Sequence, residues 1–137
     1  MNRNQSERGA TLVEAAVTTL LLFTMLFGIL EFGRAYNIYQ TITNAAREGA
    51  RFSVAPLPGV STLPDSGAVT SRVQNFLTAD AITGATVAVN QSQTGPTVNG
   101  VASVSTEVDV SAPYQFLFFP FGTITMSSKA VMRNEND

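Results

Sequence analysis

The first third of the chain is an apolar segment that passes into an amphipathic one. Residues 10–30 carry a single charged side chain, and roughly twenty helical residues cross the ~30 Å core of a bilayer. From Ile29 onward, apolar residues recur at three- and four-residue steps, which is the spacing of a helical face. The members of this stripe are Phe32, Tyr36, Tyr39, Ala46 and Ala50. The pattern predicts one helix over about residues 10–52, roughly 65 Å long, whose second half stands outside the membrane.

The rest of the chain predicts a small α+β domain. Prolines and glycines break the helix across residues 53–67. Asp65 or Ser66 then caps a short second helix, whose apolar face follows helical spacing up to Thr78 or Ala79. This face is expected to pack on the outer half of the first helix and on a sheet.

Three stretches with alternating apolar and polar residues predict the strands of that sheet. They cover residues 85–90, 101–110 and 123–133. Turn residues at Thr94-Gly95-Pro96 and Asn99-Gly100 separate the first two, and residues 113–122 separate the last two. The economical arrangement is an antiparallel three-stranded meander.

The one charge in the apolar segment, Glu14, conflicts with its surroundings. A carboxylate in the bilayer costs about 2.5–3.5 kcal/mol on insertion scales, and the chain offers no basic residue nearby. Either another molecule supplies a partner, or the side chain snorkels to the interface.

The residues around Glu14 resemble the leader junction of type IV prepilins and pseudopilins, in which a glycine precedes a mature chain whose fifth residue is Glu. The implied cut lies between Gly9 and Ala10, after an extended basic leader. The resemblance is more specific in three motifs, and these resemble the TadE-like family. The motifs are R-G-A-x-x-V-E at residues 8–14, G-I-L-E-F-G-R at 28–34 and N-A-A-R-E-G-A-R at 44–51.

This resemblance implies a minor pseudopilin of the Tad (Flp pilus) assembly and secretion system, with a pilin-like fold. The expected partners are a prepilin peptidase, other pilin or pseudopilin subunits and the lipid bilayer. The resemblance further implies a single-pass protein of the bacterial inner membrane, or a subunit within a pilus filament, whose C-terminal domain lies in the periplasm or outside. The basic leader supports this orientation, since basic residues favour the cytoplasmic side.

The predicted organisation therefore has three parts. Residues 1–9 are the leader, residues 10–53 are the long helix, and residues 54–137 are the small domain. Within the helix, residues 10–30 are transmembrane and residues 31–53 are extracytoplasmic.

Several charges in the outer half of the helix allow two interpretations. Glu31 with Arg34, and Glu48 with Arg51, have the i,i+3 spacing of helical ion pairs. A solvated face is the simplest reading; docking of neighbouring pilin-like helices is the alternative. The candidate helix contacts are Glu31, Arg34, Arg47 and Arg51.

Residues 114–121 form an apolar and aromatic cluster in a predicted loop. The cluster either folds back as a plug of the small core or contacts a partner or the membrane surface.

Composition argues against catalysis. The chain has no cysteine and no histidine, so thiolate ligands and the commonest general base are missing. Glu107 and Asp109 share one strand face and are interpreted as solvent-facing acids rather than a metal or acid–base pair. We expect no enzymatic activity, no cofactor and no metal, and the net charge of −2 does not favour nucleic acid.

Three other readings stay open. An ordinary signal peptide is disfavoured by the length of the apolar run and by the lack of a small-residue cleavage site. A single-pass anchor that presents an unrelated extracellular binding module is harder to exclude. A major pilin is disfavoured because, as the resemblance implies, major Flp pilins are typically much shorter.

Overall fold

The computed structural model describes residues 3–55, 62–98, 101–118 and 121–134, which form two helices and a three-stranded antiparallel sheet of order β1-β2-β3. The elements are α1 (Arg3–Val54), α2 (Ser66–Ala79), β1 (Thr86–Val98), β2 (Val101–Gln115) and β3 (Thr123–Arg133). The predicted α+β, pilin-like arrangement with a β meander is confirmed.

Helix α1 begins earlier than predicted. It starts at Arg3 and has 52 residues, which makes it roughly 78 Å long. The prediction of an extended leader is wrong over the described leader residues, because extending an existing helix by a turn needs no new nucleation. Gly9 and Ala10 therefore lie inside a continuous helix.

Helix α2 follows its local signals closely. The Asp65 side chain accepts a hydrogen bond of 2.7 Å from the Ala68 N–H, which caps the helix start as predicted. Val69, Val73 and Leu77 are buried, which confirms the predicted apolar face at these positions, whereas Phe76, which was predicted on the same face, is 36% exposed.

Two strands run past their predicted ends. β1 continues to Val98, through Thr94-Gly95-Pro96, and shifts of register before and after Thr94 accommodate this segment. The other predicted turn residues, Asn99-Gly100, lie outside the described residues. β2 continues to Gln115. It contains Pro113, which lies beyond the last pair with β1 at Ser111, where the central strand pairs with β3 alone and proline is tolerated as on a sheet edge.

The core lies between the outer half of α1, helix α2 and one face of the sheet. Its buried members are Ile42, Ala45, Ala46, Ala50, Val69, Val73, Leu77, Val108, Val110 and Ala112. The predicted stripe on α1 is correct for its alanines, but Phe32, Tyr36 and Tyr39 are 72%, 54% and 47% exposed. The packed face of α1 carries Ile42 besides these alanines, and the neighbouring elements come very close to α1 at this face.

Gly49 shows how close this approach is. A Cβ at Gly49 would collide with Cγ2 of Val73 and lie 3.2 Å from Cγ1 of Val108. Glycine is the residue that permits this contact between α1, α2 and β2.

Strand β2 runs along α1 toward its apolar half. Val108 lies beside Gly49, and the Tyr114 hydroxyl lies 3.1 Å from the Glu31 carbonyl oxygen. Six residues of strand, about 20 Å, together with the long side chain of Tyr114, cover eighteen residues of helix, about 27 Å. The loop that follows β2 therefore lies at the boundary between the two halves of α1.

Candidate functional site

The apolar stem, residues 10–30 of α1, is free of the domain over most of its length. Its large side chains are largely exposed, including Leu12, Val13, Val17, Leu20, Leu21, Leu22, Phe23, Met25, Leu26, Ile29 and Leu30. Among the described residues, α1 is the one helix that is long and apolar enough to cross a membrane. None of its most apolar 18-residue segment is buried. So large an apolar surface needs a lipid or protein environment, and the stem is compatible with a single membrane span.

The predicted processing junction is exposed at the start of the stem. Gly9 and Ala10 are both accessible, and a Cβ added at Gly9 would meet nothing within 4 Å. A side chain at Gly9 therefore leaves the fold of the subunit unchanged, so a substitution there tests recognition by another protein.

Glu14 lies on the exposed surface of the stem. It is exposed and lies in a shallow hollow with Thr11, Ala15, Thr18 and Thr19. Across the described part of the chain, it forms neither an ion pair nor a hydrogen bond. Any compensation for its charge has to come from outside these residues.

One unpartnered face of α1 connects Glu14 with the outer half of the helix. At about 100° per residue, Glu14 lies roughly a quarter of a turn from Glu31, which faces the domain. Phe32, Tyr36 and Tyr39 lie on the same side as Glu14, all three are exposed, and the rings of Phe32 and Tyr36 stack with centroids 6.4 Å apart. We call this face, from Glu14 to Tyr39, the flank of α1.

A buried carboxylate joins the domain to the top of the stem. Glu31 is 5% exposed, and its carboxylate accepts hydrogen bonds from the Tyr114 hydroxyl, from Arg34 at 3.1 Å and from the N–H groups of Leu117 and Phe118 at 3.3 Å. We call these contacts the Glu31 clamp. The interpretation of Glu31 as part of a solvated face is wrong, because the folded domain covers it.

Within the clamp, the surroundings favour an ionised Glu31 carboxylate and a neutral Tyr114 hydroxyl. The hydrogen bond from Tyr114 lowers the pKa of Glu31 and outweighs the opposing effect of desolvation. Burial, aided by the hydrogen bond to Glu31, raises the pKa of Tyr114, so its hydroxyl remains a donor. Arg34 also donates to the Gln115 carbonyl, and its guanidinium lies 4.7 Å from the centroid of the Tyr114 ring.

The loop after β2 carries most of the aromatic cluster, and we call its described residues, 116–118 and 121–122, the aromatic loop. Phe118 stacks on Phe27 of the stem with ring centroids 4.9 Å apart, and Phe116 packs edge-on against Phe121 at 5.5 Å. Leu117 and Phe121 are 67% and 70% exposed. The cluster therefore divides: Tyr114 is a buried plug, whereas the described tip of the loop is an exposed patch. Phe119 and Pro120 lie outside the described residues.

The remaining candidate contacts lie higher on α1. Arg47 is exposed. Arg51 forms the predicted pair with Glu48 at 3.2 Å, and Glu48 also binds Arg72 of α2 at 3.1 Å. The hydrogen bond from Arg72 lowers the pKa of Glu48, with a further contribution from Arg51. Contact of these arginines with neighbouring subunits stays a prediction.

The acids of β2 make a cross-strand ion pair. Glu107 binds Lys129 of β3 at 3.0 Å, and Asp109 lies opposite Lys129 in the sheet. Within the described ranges there is no group of three or more His, Cys, Asp or Glu side chains that could hold a metal ion. The geometry here is that of a stabilising pair on the sheet surface.

Comparison with known proteins identifies the first part of the chain. Residues 9–51 match the family model described as TadE-like protein, so the chain carries a TadE-like family domain. No curated protein and no solved structure matches. The family domain includes the predicted processing junction, Glu14 and Glu31, and it points to a structural, pilus-associated protein rather than an enzyme.

Proposed function

We propose that this protein, with its TadE-like family domain, is a minor pseudopilin that acts in assembly of a Tad/Flp-type pilus or secretion filament after a prepilin peptidase removes residues 1–9. The observation that carries the proposal is the exposed apolar stem, which begins directly after Gly9 and contains one carboxylate that has no ion-pair partner among the described residues. The stem anchors the subunit in the inner membrane, and the α+β domain lies in the periplasm or outside.

Glu14 would pair with the new N-terminus of a neighbouring subunit. Cleavage before Ala10 creates an α-amino group four residues before Glu14, so two parallel stems bring the cation of one and the carboxylate of the other to similar depth. In low dielectric this attraction offsets part of the desolvation cost of both groups. The pair would set the axial register between neighbouring helices.

The flank of α1 supports this model of assembly. It places Phe32, Tyr36 and Tyr39 in line with Glu14 and leaves them uncovered by the subunit's own domain. A second pilin-like helix that meets Glu14 inside the membrane can continue along these rings outside it. Stacking surfaces of this kind add apolar burial to the charge pair.

Cleavage is tested by mass spectrometry of the protein from its native membrane. We expect a mature chain that starts at Ala10, whereas Gly9→Val should remain full-length, because the peptidase needs a residue without a bulky side chain. Gly9→Ala is the matched control with the smallest possible change. A wild-type chain that keeps residues 1–9 would contradict the proposal and favour a simple membrane anchor.

Assembly is tested by co-purification of processed variants with their pilin partners. Glu14→Val should insert and be cleaved but should be lost from the complex, and Glu14→Asp should be intermediate. Ala16→Val, on the opposite face of the stem at about 100° of rotation per residue, is the control and should be recovered normally. Undiminished recovery of Glu14→Val would refute the pairing. The abundance of the protein in purified filaments separates a minor subunit from a major pilin.

A further inference from the structure

We propose that the aromatic loop is a second membrane contact, which seats Leu117, Phe118 and Phe121 in the interfacial region of the outer leaflet. This inference rests on the proposed span of α1. Beyond the span itself, the contact would fix the distance of the domain from the bilayer and give the domain a surface that faces lipid.

The depth of the loop follows from the residue on which it stacks. Phe118 lies on Phe27, and Phe27 is three residues, about 4.5 Å, from the end of the apolar stem at Leu30. The stem is about as long as the hydrocarbon core is thick, roughly 30 Å, so its two ends lie near the two boundaries of that core. A side chain in contact with Phe27 must therefore lie at the outer boundary.

The chemistry of the loop suits that position. Leu117, Phe118 and Phe121 are 67%, 45% and 70% exposed, although each is large and apolar. Phe and Leu are among the side chains that interfacial segments bury at the boundary between headgroups and acyl chains, and an exposed cluster next to a membrane span is continuous with the apolar surface of that span. Burial of these three side chains among lipid removes them from water without requiring a protein partner.

The Glu31 clamp supplies acceptors for backbone N–H groups of the loop at this depth. Backbone N–H groups without partners are costly close to hydrocarbon. The N–H groups of Leu117 and Phe118 both donate to the Glu31 carboxylate at 3.3 Å, and Arg34 balances its charge at 3.1 Å. These loop donors are thus satisfied from within the subunit before they meet lipid.

The chain contains no tryptophan, so a single introduced tryptophan is an unambiguous depth probe. Leu117→Trp and Phe121→Trp place it on the exposed loop. Leu20→Trp marks the middle of the stem, and Val131→Trp, exposed on β3 opposite Glu107, marks the distal part of the domain. Each full-length variant is reconstituted in phosphatidylcholine–phosphatidylglycerol vesicles whose acyl chains are brominated either near the headgroup or near the terminal methyl.

We expect the loop probes to lose more fluorescence to the shallow bromines than to the deep ones, with emission shifted to shorter wavelength than that of Val131→Trp. Leu20→Trp should lose most to the deep bromines, and Val131→Trp should be unaffected by either. If Leu20→Trp is quenched while both loop probes behave like Val131→Trp, the membrane contact is refuted and the patch belongs to a protein interface. If Leu20→Trp itself escapes quenching, the proposed span fails, and with it this inference.

Discussion

At the scale of residues, local spacing reveals one contact of Glu31 but not its environment. The ion pair with Arg34 follows from the i,i+3 spacing and is present. The burial of Glu31 could not be predicted, because its partners Tyr114 and Leu117 lie 83 and 86 residues away. The sequence shows a carboxylate at the end of an apolar run and a tyrosine in a remote aromatic cluster, but neither feature indicates that the two side chains are in contact.

Tyr114→Phe tests the clamp with the loss of one oxygen. The ring can keep its contacts with Arg34 and Phe116, but the Glu31 carboxylate loses its phenolic donor. Hydrogen bonds to charged groups contribute about 1.5–3 kcal/mol, and we expect a loss of that size in the free energy of unfolding. Urea unfolding in detergent micelles, followed by circular dichroism, measures it.

The control for this change is Tyr36→Phe, in which the same atom is removed from a side chain that is 54% exposed. We expect an effect within about 0.5 kcal/mol. Equal effects for the two variants would show that the clamp adds no stability to the domain.

Gly49→Ala tests the close approach of α1 to Val73 and Val108. Alanine favours a helix over glycine by up to about 1 kcal/mol, but its methyl group has no space here. Overpacking typically costs about 1–3 kcal/mol, so the variant should be less stable than wild type in the same unfolding assay. Gly33→Ala, where a Cβ meets nothing within 4 Å, should be neutral or stabilising; a stable Gly49→Ala would show that the contact can relax freely.

At the scale of elements, the quality of prediction follows the range of the determining contacts. Helix α2 was predicted to within a residue, because the Asp65 cap and the apolar spacing are local. The ends of β1 and β2 were wrong, because they depend on pairing: register shifts let β1 pass Pro96, and the shorter reach of β1 makes Pro113 tolerable in β2. The apolar face of α1 was only half right, since the sequence does not show which side receives α2.

Acid should weaken the contact between α1 and α2 through Glu48. Its folded pKa is lowered, mainly by Arg72, so its stabilisation is present above the ordinary value of 4.5 and is lost as the pH falls through the folded pKa. For a pair this close to the surface, we expect Glu48→Gln to cost roughly 0.5–1 kcal/mol at neutral pH. The difference between wild type and variant should shrink toward zero in acid.

This comparison isolates Glu48, since all other carboxylates are common to both proteins. Unfolding free energies in urea from pH 7 to pH 3, measured in parallel, give the difference at each pH. A difference that is independent of pH would contradict the assignment.

At the scale of the whole molecule, a largely bare stem and a folded domain share one helix. The division was predictable, because composition changes sharply along α1 from apolar to amphipathic. The close packing of the domain on the top of the stem could not be predicted, since it depends on the distance that β2 covers along α1. That packing fixes which face of the stem lies under the domain and which face, the flank, remains open.

The orientation of the protein can be tested through its lack of cysteine. Val131→Cys should react with a membrane-impermeant maleimide added to spheroplasts, because the proposed orientation places the domain outside. Ser6→Cys in the uncleaved chain should react only after lysis. The reverse pattern would overturn the proposed orientation.

The Glu31 clamp also has a place in the order of synthesis. Glu31 leaves the ribosome 83 residues before Tyr114, and proteins fold from the N-terminus as they are made. In the proposed topology, the stem can therefore enter the membrane while Glu31 still faces water, and its carboxylate is covered only after β2 and the aromatic loop have been synthesised. Closure of the clamp marks a finished domain, and a chain that stops or misfolds before β2 leaves an open carboxylate just above the membrane.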